Sequence, residues 1–280
     1  MKIKNNNELN FTGERLTTSM ESGIMVEHLH RYAIAETYTK NKIVLDIACG
    51  EGYGSMLLSK KAKSVIGVDI SVEAISHSQN KYKAPNLTFK VGSASNIPLP
   101  DKSIDVIVSF ETIEHHDQHE KMLDEIKRIL KDNGVLIISS PDKLYYSDIP
   151  KYNNPFHIKE LYEKEFRELI NKHFKHIFFL SQRCLSGSII ISETNSDNLI
   201  QFSGDYLGYE NQGNFKPLYN IAIASDKNLE DISSSIFESD KYYENLSGKS
   251  LIDLYTNSTT WKIGRLVLYP YNLMKRILNK

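Results

Sequence analysis

Between Phe110 and His119 the sequence reads FETIEHHDQH, which crowds Glu111, Glu114 and His115 into five residues. Two carboxylates and an imidazole at that density can do two kinds of chemistry. An imidazole titrates near neutrality, so His115 can act as a general base that takes the proton of a hydroxyl. Alternatively, Glu111, Glu114 and His115, joined by His157 of NPFHIKE, form a mixed oxygen and nitrogen donor set. Such a set suits Mg²⁺, Mn²⁺ or Zn²⁺, which would polarise the same hydroxyl. Glu111 shares a face with Glu114 or His115 if the segment is helical. A plainer reading also stands: Thr112 caps a helix, His115 bonds a backbone carbonyl, and His116 and His119 face water.

A second chemical feature lies upstream, in LDIACGEGYG from Leu45 to Gly54. Gly50, Gly52 and Gly54 allow a tight turn and a close backbone approach to a ligand. Glycines alone would serve any nucleotide. Asp46, four residues before Gly50, would repel a pyrophosphate but suits the ammonium of a methionine. Asp69 follows 17 residues after Gly52, where a carboxylate can accept both hydroxyls of a ribose. Its neighbour Ile70 can cover one face of adenine. The bland alternative is that Asp46 and Asp69 are ordinary strand-end residues.

These groups need a scaffold that brings strand ends together. Residues 22–40 place Ile24, Leu29, Tyr32 and Ala33 near helical spacing. Apolar runs at 42–48, 64–70, 87–92, 103–110 and 134–140 then alternate with helical segments, including 119–131, which carries Met122, Leu123, Ile126, Ile129 and Leu130 on one face and is stopped by Asn133-Gly134. Strands apolar on both sides and separated by helices predict a parallel sheet covered on both faces. A helix at 160–174 and strands at 176–182 and 219–225 complete it. The division expected is an N-terminal segment with a lid helix at 1–40, a catalytic domain at 41–225 with an insert at 183–217, and an appendage at 226–280.

Composition narrows the partners. Lys plus Arg total 34 against 35 Asp plus Glu, so no global positive field points to nucleic acid. Cys49 and Cys184 stand far apart, which excludes a zinc ribbon or an iron–sulfur triplet. No apolar run approaches the ~18 residues of a membrane span, and the opening MKIKNNNELN lacks the apolar core of a signal peptide. A cytoplasmic location is expected. The tail 261–280 interleaves apolar residues with Lys262, Arg265, Lys275, Arg276 and Lys280, so it could rest on the inner membrane face, dock on a partner or pack on its own domain.

LDIACGEGYG, VIGVDIS and VGSASNIPLPDKSIDVIVS together resemble the class I S-adenosylmethionine-dependent methyltransferases, over roughly Gly13 to Leu180. The resemblance implies an α/β, doubly wound, mostly parallel seven-stranded Rossmann-like sheet with its last strand antiparallel. It implies S-adenosylmethionine as cofactor, bound by Asp46, Gly50, Gly52, Gly54, Asp69, Ile70, Ser93, Ala94, Phe110 and Arg31. Ser93 stands where the family usually has a carboxylate for the adenine amino group, and Asn96 could take over that contact. Arg31 or Arg15, on a lid-like N-terminal segment, could pair with the methionine carboxylate. ExxEH with a later His is similar to metal-assisted O-methyltransferases of ubiquinone synthesis and of small-RNA capping.

GER, EHLHRY, FETIEH and NPFH further resemble a bacterial subgroup tied to cell-surface polysaccharides, implying a small-molecule or glycan acceptor. Other small-molecule acceptors, such as a quinone-like phenol, remain open. So do an NAD-dependent sugar oxidoreductase and a non-catalytic binding module of a glycan-assembly complex. Tyr-x-x-x-Lys spacings at Tyr38–Lys42 and Tyr271–Lys275 fall outside the sheet core, which argues against the oxidoreductase.

Overall fold

The computed structural model describes residues 17–18, 23–184, 188–192, 199–205 and 208–237. Arg15 and the tail 238–280, with its basic segment 261–280, lie outside the described residues.

Helix α1 (Gly23–Thr39) leads into β1 (Ile43–Ile47), α2 (Tyr53–Ser59), β2 (Ser64–Asp69), α3 (Val72–Lys81), β3 (Leu87–Val91) and β4 (Ile104–Ser109). After a 3₁₀ turn at Ile113–His115 come α4 (His119–Ile129), β5 (Leu130–Pro141), a π-helical turn at Leu144–Asp148, α5 (Glu163–His173) and β6 (His176–Cys184). The described chain then adds β7 (Ser188–Ser192), β8 (Ile200–Asp205), β9 (Gly208–Asn214), β10 (Tyr219–Ser225) and β11 (Ser235–Phe237).

One sheet runs in the order β11-β7-β6-β10-β5-β4-β1-β2-β3. Strands β1 to β5 pair in parallel, and β10 runs antiparallel between β5 and β6. The expected doubly wound sheet with an antiparallel last strand is therefore present, but it has nine strands among the described residues, not seven. Part of the expected insert (β7) and part of the expected appendage (β11) join its β6 edge, while β8 and β9 form a separate two-stranded ribbon. Non-local pairing of this kind leaves no local period to read.

Alternation along each strand builds two cores. Leu45, Ile47, Ile107, Leu136 and Ile138 face α4 and α5, where Met122, Leu123, Ile126, Phe166 and Ile170 are buried. Val44, Val65, Val106, Val108 and Ile137 face the other way, against Ala35, Leu58 and Ile75 of α1, α2 and α3. Helix α1 buries Tyr32 of the stripe that its apolar spacing suggests, but not Ile24 or Ala33. Ile24 is exposed, as is Ala33, whereas Val26, Glu27, His30, Arg31, Ile34 and Ala35 are buried. Polar members of this stripe meet polar partners on distant strands, for example His30 Nε2 with Ser235 Oγ at 3.0 Å. The helix is thus packed into the fold.

Two residues at adjacent strand ends depart from ordinary backbone. Ala48 after β1 and Glu111 after β4 have φ of 56° and 49°, the left-handed region that non-glycine residues seldom adopt. Such strain persists only where the surroundings enforce it, and it clusters at functional sites.

Candidate cofactor and catalytic site

The glycine turn is tied to the end of β2. Asp69 Oδ2 accepts from the Gly50 N–H at 2.9 Å, and Oδ1 accepts from the Ser71 N–H at 2.8 Å. A carboxylate has about four acceptor positions, so each oxygen retains capacity for a ribose hydroxyl. Gly50 and Gly52 turn through φ of 56° and 91°. Beside Asp69, Ile70 is 74% exposed, and Val91, the register partner of Asp69 in the β2–β3 pair, is exposed too. These residues offer an apolar surface for a flat ring. Ser93 and Ala94 are half-buried, with Ser93 Oγ 3.1 Å from Ser95 Oγ and the Asn96 N–H donating to the Ser93 carbonyl at 3.1 Å.

Asp46 is the residue expected at a ligand ammonium. It is 1% exposed and lies under the turn, where Oδ2 accepts from Ser55 Oγ at 2.6 Å and Oδ1 from the Tyr32 hydroxyl at 3.2 Å. Burial raises its pKa to about 7 against the opposing effect of those hydroxyls. Asp46 therefore ties the end of β1 to α1 and α2. Gly54 is likewise a packing residue: a Cβ there would lie 2.0 Å from Cζ of Tyr32. Phe110 packs edge-on against the same Tyr32 ring, with centroids 5.1 Å apart.

Glu111 and Glu114 part company. Glu111 Oε1 accepts from Ser139 Oγ at 2.6 Å and sits 3.3 Å from Nη1 of Arg31. Arg31 is 1% exposed, donates Nε–H to Gln182 Oε1 at 2.6 Å, and lies 4.3 Å from the centroid of the Tyr219 ring. The Tyr219 hydroxyl in turn donates to Glu27 Oε2 at 2.9 Å. Arg31, expected at the methionine carboxylate, thus takes part in this internal network, while Nη1 and Nη2 have no hydrogen-bond partner among the described residues.

Glu114 instead meets the histidines. One ligand atom from each of Glu114, His115 and His157 lies within 4.8 Å of the others. His115 Nδ1 meets the Phe156 carbonyl at 3.1 Å, which places its proton on Nδ1, and its Nε2 lies 3.8 Å from Glu114 Oε1. Glu114 is 1% exposed, and neither carboxyl oxygen has a hydrogen-bond partner. Burial, helped by the negative charge of Glu111, pushes its pKa up to about 8. A buried carboxyl with no donor fits a bound cation, and the two imidazoles fit as its nitrogen donors. Three of the four expected cation residues therefore come together; Glu111 does not. The helical face assumed for the pair fails because Glu111 precedes a three-residue 3₁₀ turn. His119 also differs from expectation, being buried with Nε2 2.7 Å from the His116 carbonyl.

Several site residues gave no readable signal. Ser139, Gln182 and Tyr219 reach the site from β5, β6 and β10, and no spacing joins them. Glu51 is 2% exposed and accepts from the Thr18 N–H at 2.9 Å and Lys81 Nζ at 2.6 Å, pinning the described part of the N-terminal segment to the glycine turn. Glu160, three residues after His157, is the one whose spacing could have marked it.

Residues 45–138 match the family model of a methyltransferase domain, from within β1 to within β5. A probable S-adenosylmethionine-dependent methyltransferase of Mycolicibacterium smegmatis is 38% identical over 130 residues, covering 45% of this chain and 49% of that protein. A fatty-acid O-methyltransferase of the same organism is 26% identical over 135 residues, covering 45% and 48%. The alignments thus span about half the length of these curated relatives. The YcgJ protein of Bacillus subtilis shares the fold, with a TM-score of 0.53 at 17% identity over 72% of this chain and 100% of that one. The matched segment is similar to methyltransferase domains and has a Rossmann-like fold, and the first of these relatives is described as S-adenosylmethionine-dependent.

Proposed function

We propose that the chain is an S-adenosylmethionine-dependent O-methyltransferase acting on a hydroxyl of a sugar, a nucleotide sugar or a glycan end, in the synthesis of cell-surface polysaccharide. The observation that carries the hydroxyl reading is His115, whose Nδ1 is pinned by the Phe156 carbonyl while Nε2 faces Glu114 beyond the end of β4. The sugar reading rests on the sequence resemblance. Peripheral contact with the inner membrane face through 261–280 belongs to the same proposal and rests on sequence as well.

When bound, S-adenosylmethionine supplies a methyl group on a sulfonium, a leaving group good enough that no covalent enzyme intermediate is needed. Asp69 and the turn at Gly50 and Gly52 hold the donor, and Ile70 covers its adenine. His115 Nε2 takes the proton of the acceptor hydroxyl as the oxygen–methyl bond forms, and Glu114 faces the imidazolium charge that results. Positioning of donor and acceptor does most of the remaining work. If Glu114, His115 and His157 hold a divalent cation, it would supply Lewis-acid polarisation of the same hydroxyl.

A second acceptor class is favoured by a surface feature. Leu144, Ile149, Tyr152, Phe156 and Ile158 are all exposed in the segment between β5 and α5 that carries His157. Exposed apolar groups gathered beside a catalytic cluster suit a lipid-borne hydroxyl or carboxyl, the acceptor class named for the fatty-acid O-methyltransferase relative.

Calorimetry with S-adenosylhomocysteine and with NAD tests the donor, and binding of NAD alone would overturn the reading. Methyl transfer to a panel of nucleotide sugars, glycan ends and fatty acids tests the acceptor. Loss of turnover in His115→Ala with no effect of a chelator would remove the cation.

A further inference from the structure

His157 is nearly buried, with 6% of its side chain exposed, and is held on every side. Tyr146 stacks on its ring at 5.4 Å and 23°, and His115 meets it edge-on at 5.1 Å and 81°. Both ring nitrogens are engaged within the segment that carries them. Nδ1 lies 2.5 Å from Oε1 of Glu160, and Nε2 lies 2.9 Å from Nδ2 of Asn154. The Asn154 orientation is set independently, because its Oδ1 accepts from the Phe156 N–H at 3.1 Å. Glu160 is itself buried, 8% exposed at the side chain, and the same Oε1 accepts from Ser147 Oγ at 2.8 Å.

These bonds admit one arrangement of protons. A carboxylate only accepts, so the proton between it and the ring sits on Nδ1; an amide Nδ2 only donates, so Nε2 carries the lone pair. His115 has the same tautomer for the same kind of reason, its Nδ1 proton being held by a carbonyl. Two imidazoles in contact therefore both turn an unprotonated Nε2 to their surroundings. In imidazole sites the group bonded to the second nitrogen commonly selects which nitrogen is the acceptor.

We propose that Glu160 is a positioning residue that acts through His157, fixing its proton on Nδ1 and its ring beside His115 so that Nε2 serves as the acceptor for a hydroxyl proton or a cation. Asn154 occupies that lone pair until the ligand replaces it. The inference rests on the O-methyltransferase reading for its purpose, but not for its geometry.

The test uses the full chain labelled with ¹⁵N-histidine. Long-range ¹H–¹⁵N correlation spectra, recorded above the usual histidine pKa, report the tautomer of each ring, and His157→Gln assigns the signal. The wild type is expected to show His157 with its proton on Nδ1. Glu160→Gln retains an accepting oxygen and should keep that tautomer, as should Asn154→Ala, whereas Glu160→Ala combined with Asn154→Ala, which removes the amide donor to Nε2 as well, should move toward the Nε2-protonated form. Where turnover is measurable, Glu160→Ala should lower kcat by about 10- to 100-fold with KM for the methyl donor unchanged, and Glu160→Gln should restore most of it. An Nε2-protonated His157 in the wild type or in Asn154→Ala, or an unchanged tautomer in the combined Glu160→Ala and Asn154→Ala variant, would overturn the proposal. Titration with S-adenosylhomocysteine separates the two ideas. Failure of the wild type to bind it sinks the methyltransferase reading and leaves the tautomer result standing.

Discussion

Glu111 places its carboxylate 3.3 Å from the buried guanidinium of Arg31, and this pairing divides the acidic pair that the sequence sets three residues apart. The left-handed φ of Glu111 aims it toward α1 and β5, while Glu114 faces His115. A charge buried as deeply as Arg31 tolerates its environment only while its partner stays. Glu111→Ala should therefore lower the unfolding free energy by about 3 kcal/mol. Replacing both members, Arg31→Met with Glu111→Leu, should cost less than the sum of the two single changes, because the pair couples directly, while buried Glu27 loses Arg31 as its neighbour in either case. Urea unfolding of Arg31→Met, Glu111→Leu and the double variant decides it, and additive losses would refute the argument.

Gly54 owes its identity to Tyr32. A methyl group at 54 would meet the Tyr32 ring at 2.0 Å, and that ring also carries the hydroxyl bonded to Asp46. Gly54→Ala should destabilise by about 1–3 kcal/mol, as overpacking does, and should loosen the turn. Adding Tyr32→Ala should recover part of the loss, since the two positions couple directly. Additive losses in thermal or urea unfolding would show that the clash is relieved elsewhere.

Asp46 makes stability depend on pH in a defined direction. Folding raises its pKa from 3.8 to about 7, so its contribution is full below about 4 and is lost as pH rises through about 7. Three units correspond to at most about 4 kcal/mol. The wild type should lose stability relative to Asp46→Asn across that window, and Ser55→Ala, which removes a donor to the carboxylate, should deepen the loss. Parallel stability curves for wild type and Asp46→Asn would rule this out.

Asp69 bonds the Gly50 N–H and stands at the ribose end of the proposed donor site. Asp69→Ala removes charge-assisted bonds worth about 1.5–3 kcal/mol each, so affinity for S-adenosylhomocysteine should fall at least about tenfold. The calorimetric Kd of Asp69→Ala and Asp69→Asn measures it. Wild-type affinity in Asp69→Ala would remove Asp69 from the donor site.

What the sequence determined was local or periodic. Alternating apolar runs announced β1 to β5, the spacing of Met122, Leu123 and Ile126 announced α4, and LDIACGEGYG followed by Asp69 announced the glycine turn and its acidic partner, because the turn and the next strand are close along the chain. Tertiary structure alone decided the rest. Arg31 meets Gln182 across 151 residues, Tyr219 reaches Glu27 across 192, and β7 and β11 extend the sheet at an edge. A buried charge finds its partner through the packing of distant strands. Residue types can therefore state that Glu111, Glu114 and His115 are able to act together, but only the turn between them determines which of them do.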